Sequence, residues 1–133
     1  MNTYQHFMIV DDDHMNNFIC NITLKNTYKN SQVTSFEKPV EALAYITSSY
    51  PRNDIEKTTL LLDINMPVLN GWEFLEELKQ MNLAVVDQFN IYILSSSVDQ
   101  RDMDKAKNDP YVIDFISKPL KKEKLIELFG SAE

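Results

Sequence analysis

Asp11, Asp12, Asp63, Ser95 and Lys118 are the side chains of this sequence whose types could do chemistry together. The chemistry they suit is phosphoryl transfer. A phosphoryl group carries three charged oxygens, and a cation, a lysine ammonium and a hydroxyl or backbone donor can each take one. An aspartate can itself be the nucleophile and become an aspartyl phosphate. Asp63 lies in the run LLLDINMPVLNG, residues 60–71, and is the natural nucleophile; Asp11 and Asp12 would hold the cation. Carboxylates packed together repel, and some take up protons unless a cation intervenes. Lys118 can offset one charge and a divalent ion can offset more. The donors are all oxygen, with no His or Cys among them, which suits a hard ion such as Mg²⁺.

These residues are far apart in sequence, so the elements around them must bring them together. Each ends or follows a short apolar run that reads as a buried strand. Residues 7–10 (FMIV) lead into Asp11, Asp12 and Asp13, and residues 59–63 (TLLLD) end on Asp63. Residues 90–95 (NIYILS) end on Ser95, ahead of Ser96 and Ser97, and residues 112–117 (VIDFIS) lead into Lys118 and Pro119. Residues 32–36 (QVTSF) form a further, β-branched strand candidate.

Helical patterns lie between the strands. Met15, Phe18, Ile19 and Ile22 fall at i, i+3, i+4, i+7 behind Asp13, which reads as an N-cap. Pro39 suits the first turn of a second helix over residues 38–49. Phe74, Leu75, Leu78 and Met81 mark a third helix starting at Gly71, and Asp99 caps a polar fourth through about Asn108. Residues 120–129 make a last helix, stopped by Gly130. Strands alternating with helices predict one α/β domain: a five-stranded parallel sheet, (βα)5, with right-handed crossovers. In such a sheet the C-terminal strand ends share one edge, where ligands bind at the switch in strand order. That edge gathers the acids, Ser95 and Lys118. Asp63 is expected at a cleft there, exposed rather than buried.

Composition narrows the function classes. A chain of 133 residues fits a single domain over 1–133, long enough to bury a real core. Its 44% hydrophobic and 25% charged residues are ordinary for a soluble globular domain. A formal net charge of −7 argues against a direct nucleic-acid binder, which needs a basic surface. The lone Cys20 has no disulfide partner and reads as a small apolar helix residue. No stretch reaches the length of a membrane span and no signal-peptide pattern opens the chain, so a cytoplasmic location is expected. His14 reads as a surface residue and Trp72 as a packing residue that could report on events near Asp63. The run KKEK, residues 121–124, sets cations at a helix N-terminus, where they are disfavoured.

IVDDD at 9–13, LLLDINMPVLNG at 60–71, YILSS at 92–96 and DFISKPL at 114–120 occur in order at the strand ends. Together they resemble the receiver domains of bacterial two-component response regulators, along the full length of the chain. The resemblance implies a doubly wound, flavodoxin-like fold and a stand-alone receiver with no output domain, similar to chemotaxis regulators. It implies that Asp63 is the phosphoacceptor, taking its phosphoryl group from a phosphohistidine on a sensor histidine kinase or a histidine phosphotransfer protein. Asp12 matches the direct Mg²⁺ ligand, Asp11 its partner through a metal-bound water, and Asn65 the backbone carbonyl ligand. Lys118 matches the lysine on the phosphoryl oxygen, preceding a Pro119 bond that is often cis in this family. Ser95 matches the switch hydroxyl, with Ser96 the alternative in the triple serine, and Phe115 matches the switch aromatic. Such a protein phosphorylates and dephosphorylates itself without being a turnover enzyme. It would act on a downstream target protein, and dimerisation on phosphorylation is compatible with it.

Other classes fit less well. An aspartate-nucleophile phosphatase similar to the haloacid dehalogenases needs an acid two residues past the nucleophile, where this chain has Asn65. A flavodoxin-like electron carrier needs a phosphate-binding loop after the first strand, where this chain has carboxylates. A degenerate receiver that only binds partners is the remaining alternative, against which Asp12, Asp63 and Lys118 argue.

Overall fold

The computed structural model describes residues 5–53, 57–96 and 99–131. The strands are β1 (His6–Val10), β2 (Gln32–Phe36), β3 (Thr58–Asp63), β4 (Phe89–Ser95) and β5 (Val112–Ser117). They form one parallel sheet in the order β2-β1-β3-β4-β5. The helices are α1 (His14–Thr27), α2 (Pro39–Ser49), α3 (Gly71–Met81), α4 (Leu83–Val86), α5 (Gln100–Asn108) and α6 (Lys122–Phe129). The expected doubly wound α/β fold is therefore what the chain adopts, with the short α4 as an addition.

Strand side chains alternate between two faces, and both faces are covered, which is why the strands read as unbroken apolar runs. Met8, Val10, Leu60, Leu62, Ile91 and Ile93 pack with Ala42 and Ile46 of α2 and Phe74, Leu75 and Leu78 of α3. Phe7, Ile9, Leu61, Tyr92 and Leu94 pack on the other face with Cys20 and Leu24 of α1 and Leu125 of α6. The helix starts are set by the residues the sequence offers. Asp13 accepts from the Met15 and Asn16 N–H groups, and Asn70 and Glu73 form a reciprocal capping box. Asp99 accepts from Arg101 N–H, and Gly130 ends α6 at φ 89.

One helix is turned the other way round from its pattern. The apolar stripe of α1 is on the outside: Met15 is 60% exposed, Phe18 56% and Ile22 44%. Its buried residues are instead Asn16, Asn17, Cys20, Leu24 and Thr27. The reason lies at the sheet edge directly above its first turn.

Candidate functional site

The register of the sheet assembles the edge. Val10 stands opposite Leu62, so the residues that follow, Asp11 and Asp63, emerge side by side from neighbouring strands. Ser95 ends β4 opposite Ser117, and Lys118 comes next. Asp11, Asp12 and Asp63 each bring a carboxylate oxygen to within 4.8 Å of the others. Asp12 is exposed, whereas Asp11 is fully buried and Asp63 is 2% exposed. The expectation of an open Asp63 is thus corrected. The loop after β3 folds back on the strand end: Gly71 N–H donates to Ile64 O at 3.2 Å. A Cβ at Gly71 would stand 2.5 Å from the Asp63 carbonyl oxygen, so only glycine allows this approach. Within that loop Val68 holds φ 70, a strained value for a β-branched residue.

Buried carboxylates need partners, and the two have very different shares. Asp11 Oδ2 accepts from Lys118 Nζ at 2.8 Å and Asn16 Nδ2 at 2.6 Å, and its Oδ1 accepts from Asp13 N–H at 2.9 Å. The Asp11 carbonyl also accepts from Asn17 Nδ2 at 2.7 Å. Asp63 Oδ1 has Asn65 N–H at 3.2 Å and Lys118 Nζ only at 3.5 Å. Burial and then the charge of Asp11 push the Asp63 carboxyl up to about 7, against the pull of Lys118 and the Asn65 N–H. Burial draws the Lys118 ammonium down, but its bond to Asp11 and the charges of Asp11 and Asp63 outweigh this and raise it.

The remaining sequence candidates fall around this centre. Asn65 is exposed beside Asp63. Ser95 is buried, and its carbonyl accepts from Lys118 N–H at 2.8 Å; Ser96 is exposed, and Ser97 lies outside the described residues. Phe115 is half-buried on β5, lining a groove of about 300 Å³ with Met103 and Ala106 of α5. The Lys118–Pro119 bond is cis. His14 is exposed and pairs with Glu37. Cys20 is buried beneath Asn16, and burial pushes its thiol up to about 12, which leaves it inert.

Asn16 and Asn17 are the site residues that sequence reasoning passed over. The signal was available as a second periodicity: Asn16, Cys20, Leu24 and Thr27 lie at i, i+4, i+8, i+11, a helix face that is polar at its start, behind the acidic run, and turns apolar further on at Cys20 and Leu24.

With all three acids ionised and one lysine among them, the pocket carries two uncompensated negative charges on oxygen donors. That donor set fits a divalent hard cation. Asp11, Asp12 and Asp63 are the groups that would hold it.

Sheet order and acidic edge define a class: a doubly wound α/β domain with a carboxylate site at its topological switch. The chain belongs to the response regulator receiver domain family, whose pattern it matches over residues 7–129. A two-component response regulator from Cytophaga hutchinsonii is 28% identical, with a TM-score of 0.85 over 96% of both chains. A response regulator receiver protein from Dyadobacter fermentans is 30% identical, with a TM-score of 0.79 over 96% of this chain and 99% of that one. The phosphorylated cyanobacterial phytochrome response regulator RcpA shares the fold at 22% identity and a TM-score of 0.72, over 96% of this chain and 90% of that one. No curated protein sequence matches the chain at a significant level. Among the described residues no helix is long and apolar enough to cross a membrane.

Proposed function

We propose that this receiver is a phosphoacceptor switch in which Asp63 takes a phosphoryl group from a phosphohistidine. The observation that carries the reading is the convergence of Asp11, Asp12 and Asp63 with Lys118 at one sheet edge. An Asp63 carboxylate oxygen attacks phosphorus and the P–N bond breaks. The electron pair goes to the imidazole nitrogen of the donor, and an acyl phosphate remains on Asp63. A bound Mg²⁺ would offset charge on the transferring oxygens.

The chain's own residues do the rest. Asn16, Asn17 and the Asp13 N–H fix Asp11 in place beside the partly buried lysine. Lys118 is tethered to Asp11 and lies 3.5 Å from Asp63, within a short shift of a phosphoryl oxygen there. Asp63 must be deprotonated to attack, and the same event brings Lys118 toward it. Ser95 is the switch hydroxyl: it is buried at the strand end, unlike Ser96, and its backbone is bonded to Lys118. Its movement frees space for Phe115 on the neighbouring strand, changing the surface of α5, β5 and α6 that a downstream target reads.

The donor is a helical protein, a sensor histidine kinase or a histidine phosphotransfer protein. The exposed stripe of Met15, Phe18, Ile19 and Ile22 supports this, because it starts beside Asp12 and Asp13 and has no partner in the core. A cytoplasmic protein acting with Mg²⁺ is the setting that suits this chemistry.

Incubation with acetyl phosphate and Mg²⁺ tests the reading by intact mass. The wild-type chain is expected to gain one phosphoryl group and Asp63→Asn none. A wild type that gains nothing from an active donor would instead be a degenerate receiver that only binds partners.

A further inference from the structure

Helices α3 and α5 are fastened to each other near both ends. At one end Trp72 Nε1–H donates to Asp102 Oδ1 at 3.0 Å, and Lys105 Nζ stands 5.1 Å from the centre of the Trp72 ring. At the other end Lys79 Nζ donates to Asp109 Oδ2 at 2.7 Å and lies 5.7 Å from the centre of the Tyr111 ring. Both contacts are partly shielded from water: the Lys79 side chain is 24% exposed and that of Asp109 12%.

Helix α5 packs on β5 but sinks few side chains into the core. It buries only Ala106, whereas α3 buries Gly71, Phe74, Leu75 and Leu78. An element with few buried apolar contacts sits at the low end of local stability, so polar contacts decide more of its position. Each helix also follows a strand that ends at the site, α3 after β3 and α5 after β4. Trp72 directly follows Gly71, which packs against the Asp63 carbonyl. Helix α5 is reached from Ser95 through Asp99, its N-cap. The clasp therefore ties the strand of the phosphoacceptor to the segment that begins at the switch hydroxyl.

We propose that the Trp72–Asp102 hydrogen bond and the Lys79–Asp109 ion pair form a latch that holds α5 in its resting place and sets how readily a phosphoryl group engages the switch. This rests on the phosphoacceptor reading above. Trp72 and Asp102 are positioning residues, since they act on the site through α3 and α5 rather than by touching the phosphoryl group. When α5 moves, part of the binding free energy at Asp63 goes into opening the latch. Weakening the latch raises the apparent affinity for the phosphoryl group by the same factor. A hydrogen bond of this kind is worth about threefold to tenfold in an equilibrium constant.

The test uses the full chain, Mg²⁺ and beryllofluoride, a phosphoryl analogue, with Trp72 emission as the readout, because the sequence has one tryptophan. Asp102→Ala and Lys79→Met are each expected to lower the half-saturating concentration about threefold to tenfold, and Asp102→Asn, which keeps an acceptor oxygen, to stay near wild type. In the free protein, Asp102→Ala is expected to speed amide exchange across α5 and leave α1 unchanged, a readout that needs no phosphoryl group. The two variants break opposite ends, so one that fails to fold leaves the other to decide. A wild type that saturates while both variants keep its half-saturation and its α5 exchange overturns the latch. A wild type that never binds beryllofluoride overturns the phosphoacceptor reading, and α5 exchange then decides alone whether the clasp restrains the helix.

Discussion

Helices α1 and α3 both show an apolar stripe at helical spacing, and they turn it in opposite directions. Helix α3 buries Phe74, Leu75 and Leu78 and exposes Glu73, Glu76 and Glu77. Helix α1 exposes Met15, Phe18, Ile19 and Ile22 and buries Asn16, Asn17 and Cys20 in its first two turns. The difference comes from what lies above each helix start. The first turn of α3 meets backbone, the Asp63 carbonyl and Ile64, and glycine suffices. The first turn of α1 meets a fully buried carboxylate, which must be given donors. A core-facing apolar stripe there would leave Asp11 with Lys118 alone among side chains. Periodicity locates a helix face, then, but the neighbouring charge decides whether that face is the inner one.

The largest effect that would break this comparison is on stability. Leu78→Ala is expected to cost about 3 kcal/mol by urea unfolding, through lost transfer energy and a cavity. Asn16→Ala, on the inner face of α1, is expected to cost about 2 kcal/mol, because it strips a donor from a buried carboxylate. A neutral Asn16→Ala would mean that Asp11 does not need that face.

Asp63, the neighbour of the acid that α1 serves, gives a pH signature of somewhat smaller size. The folded-state carboxyl of Asp63, at about 7, lies above its ordinary 3.8, so the folded protein holds an extra proton between these values. The stability this proton brings is complete below about pH 4 and is lost as pH rises through 7. Without metal, Asp63→Asn is therefore expected to be more stable than wild type at pH 8, on the order of 1–2 kcal/mol, and equal to it near pH 4. Added Mg²⁺ at pH 8 should raise the melting temperature of wild type and not of Asp63→Asn.

The smallest stability effect belongs to the outer stripe. Ile22→Ala and Phe18→Ser are each expected to change stability by under about 0.5 kcal/mol. Phosphotransfer from a phosphohistidine protein should fall in these variants while labelling by acetyl phosphate stays intact. Loss of both activities together would make the stripe structural and erase its contrast with α3.

The sequence was most legible where one physical pattern dominated. Residues 32–36 and 112–117 are strands with the bounds their β-branched and apolar runs suggest, and Asp13, Pro39, Asp99 and Gly130 stand where capping rules put them. Helix α4 escaped because four residues cannot display a period; Asn82 caps it and Val85 and Val86 bury it. The burial of Asp63 escaped because it depends on the approach of Gly71, eight positions on, which only the folded loop reveals. The lean of Lys118 toward Asp11 rather than Asp63 is likewise a matter of 2.8 against 3.5 Å, beyond what residue types disclose. The polar inner face of α1 could have been read, had the second periodicity been weighed beside the apolar one.

The most direct measurement locates the phosphoryl group itself. The chain, labelled with acetyl phosphate and Mg²⁺, is reduced with borohydride, which converts an acyl phosphate to the alcohol, and is then mapped by peptide mass. The account predicts homoserine at position 63 and unchanged aspartates at positions 11 and 12. Reduction at Asp11 or Asp12, or at none of the three from a donor shown to be active, would contradict it.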